Sequence, residues 1–433
     1  MMPNKRVLGW SFFAIGVLLL GYIFSRSMLI LLSIGFVCCM LVVMKPKNAA
    51  CVLFLFAPLS YIIAYKQYNL YIFFVVAYMA NLFLRNKINL MSGLLAFFVL
   101  AYCLIFANSA VGLKIGYLIY PSLLLLILFV CQSTDKKDYK KLVNCFIIGF
   151  LISAIVGIFK TRMPLMAEQF DLDYLYVNGI DYFMDVERYS GLTLDPNYFA
   201  LTDCVVIAIL LFTSKRWSIG KGLLLIFLIT IGFLTFSKSY VLMLGIICVF
   251  YIIKYNRYAI RLLLCLFAIL ICLAIIETYT NIEVLGLIEA RFTSVGDANG
   301  LTTGRIELWN EYIDYILKNP KCLLVGEGFN AFSLNKAAHN LYIEFLYHFG
   351  VVGCILWFIY FWVCFRATVR CKDKKHRKRT RVPMFICLIS VFFLSAFHFQ
   401  QLWGCICISL LASYMPQEEV NYAEIKRHYS DLQ

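Results

Sequence analysis

Few side chains in this 433-residue chain are equipped for chemistry, and most of them fall in two polar stretches. His339, in HNLYIEF, has an imidazole whose ordinary pKa of about 6.5 leaves it neutral and basic near pH 7, so it can take a proton from an attacking hydroxyl. Arg188, in ERYSGLTLDPNYFA, and Arg305, in TGRIELWN, each carry a guanidinium fork able to give two hydrogen bonds to a phosphate. Lys238, in Ser-Lys-Ser, brings charge without the fork. Each also has an ordinary reading. The arginines can pair with Glu187 and Glu307 next door, Lys238 can snorkel to lipid headgroups, and His339 can simply cap a helix.

Other candidates fit less well. Asp171-Leu-Asp173 imitates a D-x-D metal motif but reads as a solvated loop, and no Cys or His cluster has metal-ligand spacing, so no metal is expected. His376 and His428 fall on the opposite side in the topology below, and His348 lies nine residues beyond His339, half a turn around a helix. Asp195-Pro196-Asn197 reads as a helix start, with Asp195 accepting backbone N–H bonds and Pro196 at the first helical position. Gly326-Glu327-Gly328 reads as a glycine-permitted turn.

The elements that must hold these residues are apolar. The chain is 62% hydrophobic and 15% charged, with 38 Phe, 28 Tyr and a mean hydropathy of +0.82. A soluble core of this size cannot absorb that excess, which leaves an all-α polytopic membrane protein as the fold class. Apolar runs occur near 7–24, 28–44, 49–65, 70–84, 93–109, 115–131, 143–159, 198–213, 222–236, 239–253, 262–276, 341–365, 383–396 and 402–415, predicting about 12–14 transmembrane helices with the final pair the shortest. The first run begins after Lys5 and Arg6 and lacks a small-x-small cleavage site, so it reads as an uncleaved helix. Placing both termini in the cytoplasm puts most of the 39 Lys and Arg there, including the dense basic loop 366–382, which accounts for the net charge of +15 without nucleic acid. A single integral membrane domain, 1–433, then has two long external loops, 160–197 and 277–340, carrying short amphipathic helices. In the second, Ile306, Trp309, Ile313 and Ile316 recur at helical spacing. Asp203 is nearly the only acid well inside a span.

The ordered set RYSGLTLDPNYFA, TFSKSY, GRIELWN, GEGFNAF and HNLYIEFLYHFGVVG, over roughly 185–365, resembles the bacterial O-antigen ligase and O-antigen or capsule polymerase superfamily of integral membrane glycosyltransferases. The resemblance implies transfer of a glycan from an undecaprenyl diphosphate carrier on the periplasmic side of the bacterial inner membrane, without metal or other cofactor. It assigns catalysis to His339, diphosphate binding to Arg188, Arg305 and Lys238, and supporting roles to Asn340, Asp195, Asn197 and Glu327. Lys238 stands where the family commonly has Arg, keeping the charge and losing the fork. The expected partners are the undecaprenyl-diphosphate-linked oligosaccharide, membrane lipid and a chain-length regulator. A polymerase adding the chain to the non-reducing-end hydroxyl of a lipid-linked repeat unit is the first reading. A ligase delivering it to lipid A core or another terminal acceptor is the second. A lipid-linked oligosaccharide transporter is a third, which intramembrane charges or helices broken in related halves would favour.

Overall fold

The computed structural model describes residues 5–65, 68–106, 116–163, 165, 182–183, 186–193, 195–213, 218–255, 259–280, 284–293, 305–328, 337–368, 381–394, 401–413 and 415. The acids Glu168, Asp171, Asp173, Asp181 and Asp185, the basic run 369–380, and His376, His398 and His428 lie outside the described residues.

Each of the fourteen apolar runs coincides with a helix, as backbone that must satisfy its own polar groups in hydrocarbon requires. The first seven are α1 (Lys5–Ile23), α2 (Ser27–Val43), α3 (Pro46–Phe56), α4 (Tyr71–Leu84), α5 (Leu90–Phe106), α6 (Gly116–Ser133) and α7 (Tyr139–Gly157). Four more follow the first long loop: α8 (Pro196–Thr213), α9 (Ile219–Phe233), α10 (Lys238–Lys254) and α11 (Ala259–Thr280). The second long loop contains α12 (Val284–Thr293), α13 (Arg305–Lys318) and α14 (Pro320–Val325), before α15 (Leu341–Thr368), α16 (Val382–Ser390) and α17 (Leu402–Ser413). The protein is an all-α polytopic membrane protein.

Among the described residues, five helices are long and apolar enough to cross a membrane: Lys5–Ile23, Lys136–Gly157, Pro196–Thr213, Ile260–Tyr279 and Leu341–Arg366. The others are shorter. The run 49–65 becomes α3 followed by a 3-10 turn, Ala57–Ile62, and 383–396 becomes α16 and the 3-10 turn Val391–Phe393. At about 1.5 Å per residue neither α16 nor α17 alone approaches a ~30 Å hydrocarbon layer. All of α17 is buried, so it packs inside protein rather than against lipid.

At the centre stands α8, apolar on every side and buried along almost its whole length, as such a helix must be. Around it pack α9, α10, α16 and α17. Within the N-terminal half α3 packs against α7, and that half joins this core through α17 against α6 and α7 and α15 against α5 and α6. A second, smaller cluster of Tyr312, Ile316, Cys322, Ala338 and Tyr347 lies apart from the main core and ties α13 and α14 to the start of α15.

The helix α15 breaks at Gly350, where φ is +61°. The carbonyls of Tyr347 and His348 accept from the N–H groups of Glu327 (2.8 Å) and Gly328 (3.0 Å), and that of Phe349 accepts from the Tyr102 hydroxyl of α5 (2.6 Å). Both glycines are required by contact: a Cβ on Gly326 would lie 2.3 Å from the His348 oxygen, and one on Gly350 would lie 2.5 Å from the Leu324 carbonyl.

Of the first long loop, the described part holds a 3-10 turn, Lys160–Arg162, and a small antiparallel hairpin pairing Tyr182–Phe183 with Val186–Glu187. Flanking the basic loop 366–382, the Arg366 guanidinium lies 5.8 Å from the centre of the Trp362 ring and that of Arg381 lies 5.6 Å from Phe365.

Candidate active site

The ends of α7, α9 and α16 and the starts of α8, α10 and α15 gather at the end of the bundle that bears both long loops. Hydrogen bonds across them fix the grouping: Leu192 N–H to Ser153 Oγ (3.1 Å), Tyr189 N–H to Leu234 O (2.9 Å), Ser237 Oγ to Asn197 Oδ1 (2.8 Å) and Arg305 to Phe393 O (2.6 Å).

Asp195 caps α8 as Asp-Pro-Asn predicts. Its Oδ1 accepts from the Asn197 backbone N–H (2.7 Å) and side-chain amide (2.8 Å), and its carbonyl accepts from Tyr198 and Phe199 N–H at 3.1 and 3.2 Å. The amide orientation leaves Asn197 Oδ1 free to accept in turn. It takes Ser237 Oγ–H and, at 3.3 Å, the Arg188 Nη2.

Arg188 is 4% exposed. Its Nε donates to the Thr235 carbonyl at 2.9 Å, so one edge of the guanidinium is anchored in the turn between α9 and α10. That turn is tight, with Phe236 at a φ of +46°, and Thr235 Oγ1 returns to Gly232 O at 2.7 Å. Lys238 starts α10 from it, half-buried, flanked by Ser237 and Ser239, whose hydroxyls lie 2.9 Å apart. Arg188, Asp195, Asn197 and the serines around Lys238 therefore form one connected group.

His339 and Arg305 join that group from the second loop. Asn340 caps α15, its Oδ1 accepting from the N–H groups of Tyr342 (3.0 Å) and Ile343 (3.3 Å). Immediately before it His339 adopts a φ of +51°, uncommon for a non-glycine residue, and is exposed. Surrounding protein still weakens hydration of the charged ring, so burial pushes its pKa below 6.5. The nearby Arg305 guanidinium pushes the same way, while Asp195 opposes both. His339 thus lies within electrostatic reach of one residue from each loop.

Arg305 opens α13, half-buried, with Nη1 on the Phe393 carbonyl. The same junction is held by Trp309, whose indole N–H donates to Ala338 O at 2.8 Å and whose ring meets Phe392 edge-on at 5.2 Å. The buried stripe of α13 is Tyr312 and Ile316, while Ile313 is 42% exposed. Tyr312 wins the inner position because its ring meets Tyr347 of α15 edge-on at 5.0 Å.

Glu327 is placed elsewhere. Its N–H bonds to Tyr347 O, about two turns along α15 from Asn340, and its carboxylate sits by Cys322, whose thiol burial and that charge push up to about 12. It shapes the α14–α15 junction. The sequence reading passed over two buried groups here. Glu344, 4% exposed and one turn beyond Asn340, adds to the burial that raises the Tyr312 hydroxyl pKa; an acid inside an apolar run was its signal. Lys160, 7% exposed, donates to Ser190 Oγ at 2.8 Å and carries no sequence signal. Among the described residues, no three His, Cys, Asp or Glu side chains are grouped as ligands for a metal ion.

Residues 223–358 match the family model described as O-antigen ligase, which supports the O-antigen ligase and polymerase superfamily that the motif order resembles. The match contains Lys238, Arg305, Glu327, His339 and Asn340, and begins after Arg188, Asp195 and Asn197. No curated protein matches the chain.

Proposed function

We propose that this membrane enzyme transfers a glycan from undecaprenyl diphosphate to a sugar hydroxyl. The observation that carries the reading is Asp195, which bonds to Asn197 beside Arg188 and also bears electrostatically on His339 next to Arg305. It ties a base candidate and two cations, from distant parts of the sequence, to one place.

In this mechanism the two guanidinium groups and Lys238 hold the diphosphate. Charge grows on the bridging oxygen as the sugar–phosphate bond breaks, so their interaction strengthens toward the transition state. His339, whose pKa the surrounding protein and Arg305 push below 6.5, accepts the proton of the attacking hydroxyl as the new glycosidic bond forms. The undecaprenyl diphosphate leaves with the bonding electron pair. A single displacement inverts the anomeric carbon, and NMR showing retained configuration in the product would refute it. The energy comes from the sugar–diphosphate bond, so neither a nucleotide sugar nor a metal ion is required.

The acceptor decides between two readings that share this site. The first is a polymerase that moves the growing chain onto the non-reducing end of one lipid-linked repeat unit. The second is a ligase that delivers the chain to lipid A core or another terminal acceptor; the family match at residues 223–358 is shared by both readings. Both place the site on the periplasmic side of the bacterial inner membrane, with N- and C-termini in the cytoplasm and a chain-length regulator as a further partner.

The test is to incubate purified protein with its undecaprenyl-diphosphate repeat unit alone, beside His339→Ala, and resolve the products on a gel. A ladder from the unmutated protein only supports the polymerase and the role of His339. Transfer that needs an added terminal acceptor selects the ligase. Absence of transfer in both settings sinks the glycosyltransferase reading and leaves the transporter.

A further inference from the structure

The geometry points to Lys160 as a positioning residue: acting through Ser190, it holds the turn that aims Arg188 at the diphosphate. The inference rests on the diphosphate reading of Arg188.

Lysine is seldom buried, because its ammonium loses hydration that few protein sites replace. Lys160 is nonetheless 7% exposed, and its Nζ reaches Ser190 Oγ at 2.8 Å. A charge-assisted donor of this kind is about twice as strong as a neutral one. Ser190 is fully buried, and its own carbonyl closes the turn by accepting from Thr193 N–H (3.0 Å) and Thr193 Oγ1 (2.6 Å).

The rest of the turn is clamped on the remaining sides. Gly191, at a φ of +58°, fits so closely that an added Cβ would lie 2.6 Å from the Phe199 ring, and a Cβ on Gly157 of α7 would lie 2.4 Å from the Gly191 backbone. Tyr189 donates its N–H to Leu234 O and its hydroxyl to Ala154 O, with its ring edge-on to Phe199 at 5.1 Å. With Tyr189 and Ser190, the two residues that follow it, both pinned, the direction in which Arg188 leaves the backbone is set. Arg188 itself makes side-chain bonds to groups across the bundle end, Thr235 O and Asn197 Oδ1, and so depends on that direction. Lys160 is the contact that enters this turn from the start of the long loop, and it couples the C-terminal end of α7 to Arg188.

The experiment is titration of undecaprenyl diphosphate itself into the purified full chain, comparing Lys160→Met, Ser190→Ala, Lys160→Arg and Arg188→Gln, with the melting temperature recorded for each. Loss of one such hydrogen bond should raise the Kd for undecaprenyl diphosphate about three- to tenfold in Lys160→Met and in Ser190→Ala, with Lys160→Arg restoring most of it. In the Arg188→Gln background neither change should raise the Kd further, since the positioned group is gone. Should Lys160→Met not fold, Ser190→Ala decides alone. A Kd raised by Arg188→Gln but unmoved by Ser190→Ala and Lys160→Met overturns the positioning role. Losses that persist undiminished in the Arg188→Gln background also overturn it. A Kd unmoved by Arg188→Gln overturns the diphosphate reading beneath it.

Discussion

Arg188 and Arg305 bring the same charge to the same end of the bundle, one from inside the main core and one from a satellite. Arg188 is buried, its turn wedged between α7, α8 and the end of α9. Arg305 is half-buried at the start of a surface helix whose inner residues, Tyr312 and Ile316, belong to a separate small cluster with Cys322, Ala338 and Tyr347. His339 follows Ala338 directly and so shares the satellite's fate. One cation is therefore held inside the main core, while the other sits beside a separate small cluster, next to the base candidate. Under the proposed function, the difference would separate a residue that holds the carrier diphosphate from residues that complete the site over it.

The largest expected effect breaks the main-core side. Gly157→Val forces side-chain atoms into the Gly191 backbone and should cost about 3 kcal/mol or more, seen as loss of folded protein in detergent by size-exclusion chromatography. Removing the charges separates binding from folding: Arg188→Gln and Arg305→Gln should each lower turnover on the order of a hundredfold while abundance stays near normal. Equal loss of activity and abundance would return both arginines to a structural role.

Ile316→Ala sharpens the contrast. It should cost about 2–5 kcal/mol within the satellite, lowering turnover while the main thermal transition of the bundle stays in place. The pH profile comes next. Because His339 titrates below 6.5, its basic form survives to lower pH than an ordinary histidine's, and activity should fall only as pH drops through that lowered value. Arg305→Gln removes a neighbour that lowers the pKa and should move this acid limb up, whereas Asp195→Asn removes one that raises it and should move the limb down. The smallest effect is Asn340→Ala, about 1 kcal/mol from a lost helix cap, measurable as a modest loss of turnover.

Much of this was legible in the sequence, because hydropathy marks helices and Asp-Pro-Asn marks a cap. The same reading did not separate Ile316 from Ile313, since an apolar stripe on a surface helix does not tell a protein-facing side chain from one left exposed; Tyr312 takes the inner place through a ring on a distant helix. It grouped Glu327 with the site because Gly-Glu-Gly lay in the ordered motifs. What fixes Glu327 is the break in α15 at Gly350, a tertiary event with no local signature at residue 327. Lys160 escaped notice for a related reason: a lysine at a helix end is ordinarily solvated, and only folding shows the serine above it.

The tyrosine hydroxyl at the α15 break has a consequence for recombining this protein with its relatives. Tyr102 bonds to both Phe349 O (2.6 Å) and Val325 O (3.2 Å), and a Cβ-free Gly353 lets its ring approach. The N-terminal helices, which lie outside the family match, therefore supply one of the groups that close the broken helix beneath His339. A chimaera that exchanges the first seven helices for those of another protein inherits a helix break without its fastener, unless position 102 and the glycines at 350 and 353 travel together.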